Sequence, residues 1–363
     1  MNLKAQKETY KKQTENPTKE DIKQTSFMFA VFSANIRKFY SNISSNEIID
    51  MFKKFMYYRK SSNAEQYDIE YLRSMKIINN SSINIETKNI TSPTIFASFH
   101  LGSYRLFNSY LYELGYKIVI IIDETVFLNQ QDNILNKVKP LLKGTKNSDL
   151  ILLNVNDRTS IFKLKNYIEQ GYVMTVYLDG NTGLNEKSQD FSKGYISINF
   201  LNSQLFVKNG IGKLATLLSA DIIPTISYRD DNDISYLEFH KVINTNDFEN
   251  RQEFSVKSIE ICYKKLEEKL IDYSTQWECW GYIQKWFKRG GLTPFYEINL
   301  YQNKFNLQRY ITFKLDKSNF IFDLLDYQSY PIEQELANAI QENNFSKINK
   351  DLIQELQDKN III

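Results

Sequence analysis

Apolar residues return every three or four positions through "SNEIIDMFKKFMYYRK" and "AEQYDIEYLRSMKII", the spacing of one helical face. Residues 26 to about 78 are therefore expected to be helical, and "NNSSINIETKN" (79–89) is a polar break. From residue 94 the texture changes to short β-branched runs alternating with helical patterns. Strands are expected at 94–99, 117–122, 150–154, 172–178, 195–199, 204–207, 222–228 and 234–240. Helices are expected at 102–115, 131–143, 159–170 and 210–220, with a return to helix over 252–290. Such alternation predicts an α/β fold, a mostly parallel central sheet flanked by helices.

After "RGGLTP" (289–294) the pattern shifts again. "QRYITFKLDKSNFIFDLLDYQSYP" reads as two or three antiparallel strands turning at Asp316–Asn319. "IEQELANAIQEN" and "SKINKDLIQELQDKN" read as two short amphipathic helices. The expected organisation is a polar, frayed N-terminus (1–25), an N-terminal helical segment (26–90), a core (91–295) and a small α+β appendage (296–363). No internal repeat or low-complexity tract is evident.

Composition narrows the class. At 363 residues and 42% hydrophobic, the chain can bury a sizeable core. Lys plus Arg number 45 against 43 Asp plus Glu, so charge makes no case for a nucleic-acid partner. Two cysteines, Cys262 and Cys279, give neither a metal spacing nor a disulfide framework, and a reducing, cytoplasmic setting is expected. The N-terminal residues lack the apolar core of a signal peptide. "SFMFAVFSANI" (26–36) is about half the ~20 residues that a membrane span requires. A Phe-rich face at 26–40 leaves peripheral membrane contact open, the alternative being a helix packed on the core.

Candidate chemistry gathers at strand ends, where open α/β sheets place functional groups. In "TIFASFHLGSYRLF" (94–107) one of only two histidines, His100, stands at the exit of a strand and ahead of a helix. A neutral imidazole there can take a proton from an attacking hydroxyl or amine, and helix N-terminal amides can hold an oxyanion. The alternative is a satisfied core histidine. In "GYVMTVYLDG" the strand ends at Asp179 and Gly180, and a turn-forming aspartate is the plain reading of Asp179. His240, with no cluster around it, reads as structural, and no His, Cys and Asp grouping suggests a metal.

"HLGSYRLF", "VYLDGNTG", "INFLNSQLFVKNGIGKLATLLSADIIPTIS" and "TQWECWGYIQKWFKR" stand in the order found in the lipid A biosynthesis acyltransferase superfamily. Over roughly 94–290 the chain resembles that family. Phe200, Leu201 and Asn202 stand where its Phe-Phe-Gly turn would be. Gly210, then Leu214 and Ala215, keep its spacing, and Ile222, Ile223 and Pro224 match its next strand. Gln276, Trp277, Trp286 and Arg289 lie in its Trp-rich closing helix. The resemblance implies a glycerophosphate-acyltransferase-like fold and transfer of an acyl group from an acyl-carrier-protein or coenzyme A thioester, with no further cofactor. It implies His100 as general base, Gly102, Ser103, Gly180, Asn181 and Gly210 at the substrate, and Arg158 near the thioester or acceptor phosphate. Ser103 lacks a nucleophile elbow and reads as a wall or cap residue.

One position departs from the family. Five residues after the histidine the family places an acid; here stands Arg105. A cation cannot orient the imidazole and would depress its pKa. Three readings follow: the acid comes from Asp179, Arg105 binds an anionic group, or the chain is a degenerate relative that binds an acyl chain or carrier without catalysis. The lipid A members carry an N-terminal membrane helix not seen here, which points away from a lipid A precursor, although a lipid or glycolipid acceptor stays an alternative. The C-terminal pattern resembles the winged-helix peptide-recognition elements of ribosomal peptide modification. That resemblance implies a peptide acceptor bound through residues 300–363, against the alternatives of a dimerisation module or a cap.

Overall fold

A computed structural model of the chain describes every residue except 1, 41–42, 89, 158, 181–190 and 289–303. It contains two compact units, Met1–Lys11 with Lys53–Cys279, and Lys12–Phe52 with Trp280–Ile363. The N-terminal helices are α1 (Leu3–Glu15), α2 (Lys19–Phe39), α3 (Ser45–Glu65) and α4 (Ile69–Ser74). The expected frayed N-terminus is thus corrected. Leu3 is buried, and Lys7 pairs at 2.7 Å with both Glu65 and Asp233. Those partners lie far off in sequence, so the polar texture of 1–25 could not disclose them.

The first unit is built on seven strands: β1 (Lys76–Asn79), β2 (Thr94–Ser98), β3 (Lys117–Ile122), β4 (Asp149–Asn154), β5 (Val173–Tyr177), and two more after a hairpin. The hairpin is β6 (Tyr195–Phe200) with β7 (Ser203–Lys208), turning through Leu201 and Asn202, both at positive φ. The last two sheet strands are β8 (Asp221–Arg229) and β9 (Ser235–Phe239), giving the order β1-β9-β8-β2-β5-β3-β4. β8, β2, β5, β3 and β4 are mutually parallel; β9 runs antiparallel to β8, with β1 alongside it. β2 and β8 are buried at every position. Since successive side chains point to opposite faces, both faces there are covered. The mostly parallel sheet flanked by helices is what the alternating pattern predicts.

Between the strands lie α5 (Leu106–Glu113), α6 (Glu124–Asp132), α7 (Ser160–Glu169), α8 (Gly210–Leu218) and α9 (Arg251–Tyr273). Four expectations are corrected. α5 begins four residues late, because Gly102 takes a left-handed φ of +60° and 102–105 form a turn. The expected helix 131–143 starts instead at Glu124, where the Asp123 carboxylate accepts the Val126 N–H at 2.9 Å, and widens into a π-helical turn over Asn133–Val138 before a 3-10 turn over Lys139–Leu141. α9 ends at Tyr273 and is followed by 3-10 turns to Trp286, not by helix to 290. β1 stands where the spacing predicts helix, because a short apolar run such as "KII" fits either period.

In the second unit, β10 (Tyr310–Leu315), β11 (Ser318–Asp323) and β12 (Ser329–Ile332) form an antiparallel sheet, with α10 (Gln334–Glu342) and α11 (Lys350–Asp358) after it. Phe305, Tyr310, Ile321, Leu336, Ile340 and Leu356 share its core. α2 opens with a capping box between Thr18 and Asp21. Its Phe27 lies 5.1 Å from Phe313, while Phe32 and Phe39 are buried. The Phe-rich segment 26–40 therefore packs on a core through Phe32 and Phe39, while Phe27 stays 45% exposed. Among the described residues no helix is long and apolar enough to cross a membrane.

Candidate active site

β2 and β5 are parallel neighbours with Ser98 opposite Tyr177. Two residues beyond each lie His100 and Asp179, so strand register alone delivers both to one spot at the carboxyl end of the sheet. The His100 Nδ1 and Asp179 Oδ1 are 2.7 Å apart. The same carboxylate accepts the His100 backbone N–H at 2.9 Å and the Trp277 Nε1–H at 2.7 Å. Asp179 is fully buried. Its surroundings are donors held from three directions, which fix the carboxylate and leave Nδ1–H as the proton it accepts from the ring. The His100 Nε2 then carries the lone pair, on a side chain 21% exposed.

Trp277 is held in turn by the sequence around it. Leu101 forms an antiparallel bridge with it, Gly102 N–H donates to the Gln276 carbonyl at 3.3 Å, and Phe200 packs on the indole at 5.5 Å. Gln276 also exchanges two 2.8 Å bonds with the backbone of Arg229 in β8. Gly102 is needed for the turn: a Cβ there would lie 2.5 Å from the Tyr228 Cα.

Two tyrosines pack against the imidazole, Tyr177 tilted and Tyr104 edge-on, each with ring centroid 4.7 Å away and the two 5.5 Å from each other. The Tyr177 hydroxyl donates to the Tyr104 carbonyl at 2.9 Å. Arg105 stacks over the Tyr104 ring at 4.9 Å, and its Nε is buried without a hydrogen-bond partner. The Glu278 N–H donates to the His100 carbonyl at 3.0 Å, while its Oε1 is likewise buried and unpartnered. Burial works against the charged imidazole, but attraction and hydrogen bonding from Asp179, helped by Glu278, outweigh it, and the His100 pKa is raised. Arg105 lowers it, as expected of a cation, and is overruled. Burial first, then the charge of Glu278, pushes the Tyr104 phenol well up. Burial likewise raises Tyr177.

Beside this cluster a cavity of about 360 Å³ opens at the ends of β3, β4 and β5. Ile121, Leu153, Ile161, Leu164, Ile211 and Leu214 give it apolar walls, Asp123 and Lys208 are polar points on its lining, and Tyr177 joins it to His100. Gly180 and Gly210, expected at the substrate, line it. Gly102 and Ser103 do not; both are buried in the turn after β2. Arg158, Asn181 and Arg289 lie outside the described residues. His240 is buried with Nδ1 3.6 Å from Glu238, away from the cluster. Tyr104, Tyr177 and Glu278 were missed in the sequence. The only signals were the aromatics of "HLGSY" and "VYLD" and an acid set between two tryptophans in "WECW".

No family model matches this sequence, and no curated protein matches it. Among solved structures, the chain is similar to the 1-acyl-sn-glycerophosphate (LPA) acyltransferase PlsC from Thermotoga maritima. The match is 10% identical, covers 75% of this chain and 98% of that one, and has a TM-score of 0.31. A likeness at that score carries no argument, and the functional reading rests on the site itself.

Proposed function

We propose that the protein is an acyltransferase that moves an acyl group from a thioester, on an acyl carrier protein or coenzyme A, to an amine or hydroxyl. The observation that carries this reading is the 2.7 Å contact between His100 Nδ1 and Asp179 beside an apolar cavity. His100 Nε2 takes the proton of the acceptor as it attacks the thioester carbonyl. Asp179 keeps the ring in the required tautomer and balances the imidazolium that forms, a role that the family's adjacent acid would otherwise fill. Arg105, which has no ion pair among the described residues, offers a cation for negative charge developing beside His100. The thiolate leaves with the proton from His100.

The cavity suits the acyl chain: its walls are mainly aliphatic, and Tyr177 both lines it and packs against the imidazole. For a peptide acceptor, the second unit offers β12 as an edge strand, with Ser329, Tyr330 and Pro331 exposed. Addition of an extended segment to that edge is the recognition mode it fits.

The test is release of free thiol from carrier-protein and coenzyme A thioesters of graded chain length. The reading expects turnover with a preferred length, and Leu214→Trp, which fills the cavity, should shift that preference to shorter chains. No release above the uncatalysed rate with any donor overturns it.

A further inference from the structure

The acyl-transfer reading leaves the acceptor's chemistry open, and the inference here rests on that reading. Glu278 is fixed next to the dyad through its backbone, 3.0 Å from the His100 carbonyl. The Tyr104 hydroxyl hydrogen-bonds to its carboxylate, while its Oε1 is buried and has no hydrogen-bond partner. A carboxylate oxygen left so is costly, and in a folded protein it calls for a partner. Arg105 attracts Glu278 but makes no ion pair with it, and its own Nε is also unpartnered. Two opposite charges thus frame His100, each with an atom unmatched by the protein.

A hydroxyl acceptor has one O–H, and the reaction requires that proton to face His100. It would leave Glu278 unmatched. A primary amine arrives as an ammonium with three N–H donors, enough to face His100 and Glu278 at once. We infer that the acceptor is a primary amine and that Glu278 is the carboxylate that receives it.

The ammonium yields one proton, through Glu278, to solvent. The neutral nitrogen then forms the N–C bond, and His100 Nε2 takes a second proton. The C–S bond breaks, and the thiolate takes that proton from His100. One ammonium and one thioester give one amide, one thiol and one released proton.

The experiment supplies octanoyl-coenzyme A with either hexylamine or 1-hexanol and measures amide and ester by mass spectrometry, each against its uncatalysed rate. The wild type is expected to favour the amine in kcat/KM by about tenfold or more, the scale of a charge-assisted hydrogen bond. Glu278→Gln is expected to raise KM for hexylamine by a similar factor with a smaller change in kcat, and Glu278→Asp to recover part of it. Equal transfer to both acceptors, or preference for hexanol, overturns the inference without recourse to any variant. An unchanged KM in Glu278→Gln does the same. No transfer to either acceptor overturns the acyl-transfer reading itself.

Discussion

His100 gains its chemical character from neighbours that lie far off in sequence. Asp179 is 79 positions away, yet it accepts the Nδ1 proton at 2.7 Å. Arg105, five positions away, pulls in the opposite sense and loses. The sign of the pH effect follows. A raised pKa means that the folded protein binds this proton more tightly than the unfolded chain. The associated stabilisation is present below the ordinary histidine value near 6.5 and is lost as pH rises through the raised value. Catalysis needs the neutral ring, so kcat/KM should climb as pH passes the same raised value. In Asp179→Asn the midpoint of whatever activity remains should move to lower pH, because the attraction that raised it is gone. A pH–rate profile of the two proteins checks this; coincident midpoints would contradict it.

At the scale of elements, the site is a product of register. Ser98 lies opposite Tyr177, and the two strands end in step. The turn after β2 must then clear β8, which Gly102 does at φ +60° with no side chain against Tyr228. Gly102→Ala is expected to destabilise the fold by about 1–3 kcal/mol or more, from the left-handed backbone and the clash together. Denaturant unfolding measures it. Most of this level was legible in the sequence. The β-branched runs 94–99 and 172–178 and their glycine-marked ends read as strands, and His100 and Asp179 stood out as polar residues at strand exits. The order of strands was not legible, since which runs become neighbours depends on tertiary packing. Nor was the end of α9, where the helical pattern runs on into Trp-rich 3-10 turns whose purpose is to present Gln276, Trp277 and Glu278. Those three residues act through contacts, and no local period encodes them.

At the scale of the molecule, the N-terminal stretch illustrates what polar texture conceals. Lys7 reaches Glu65, and Glu65 holds Arg229 through Nε at 2.9 Å, all in the first unit. Glu65 and Arg229 are fully buried, and Arg229 lies in the strand whose backbone Gln276 clasps. Burial works to raise the Glu65 pKa, but attraction from Arg229 and Lys7 overcomes it and holds the group down at about 2. A depressed carboxylate stabilises the fold above its unfolded value, near 4.5, and that contribution is lost as pH falls towards 2. Glu65→Gln should therefore lower stability at neutral pH by about 3–5 kcal/mol, since it leaves the buried Arg229 with only Asp233, 3.7 Å away, to balance it, and should flatten the acid limb of the stability curve. Chemical unfolding between pH 3 and 8 reads both. The His100–Asp179 dyad is tested by thiol release from an acyl thioester turned over by the wild type, by His100→Ala and by Asp179→Asn. The expected result is turnover by the wild type, none detectable with His100→Ala, and a fall on the order of 10³–10⁴-fold with Asp179→Asn, the scale seen when the acid of a comparable dyad is removed. Wild-type turnover that survives both substitutions would contradict it.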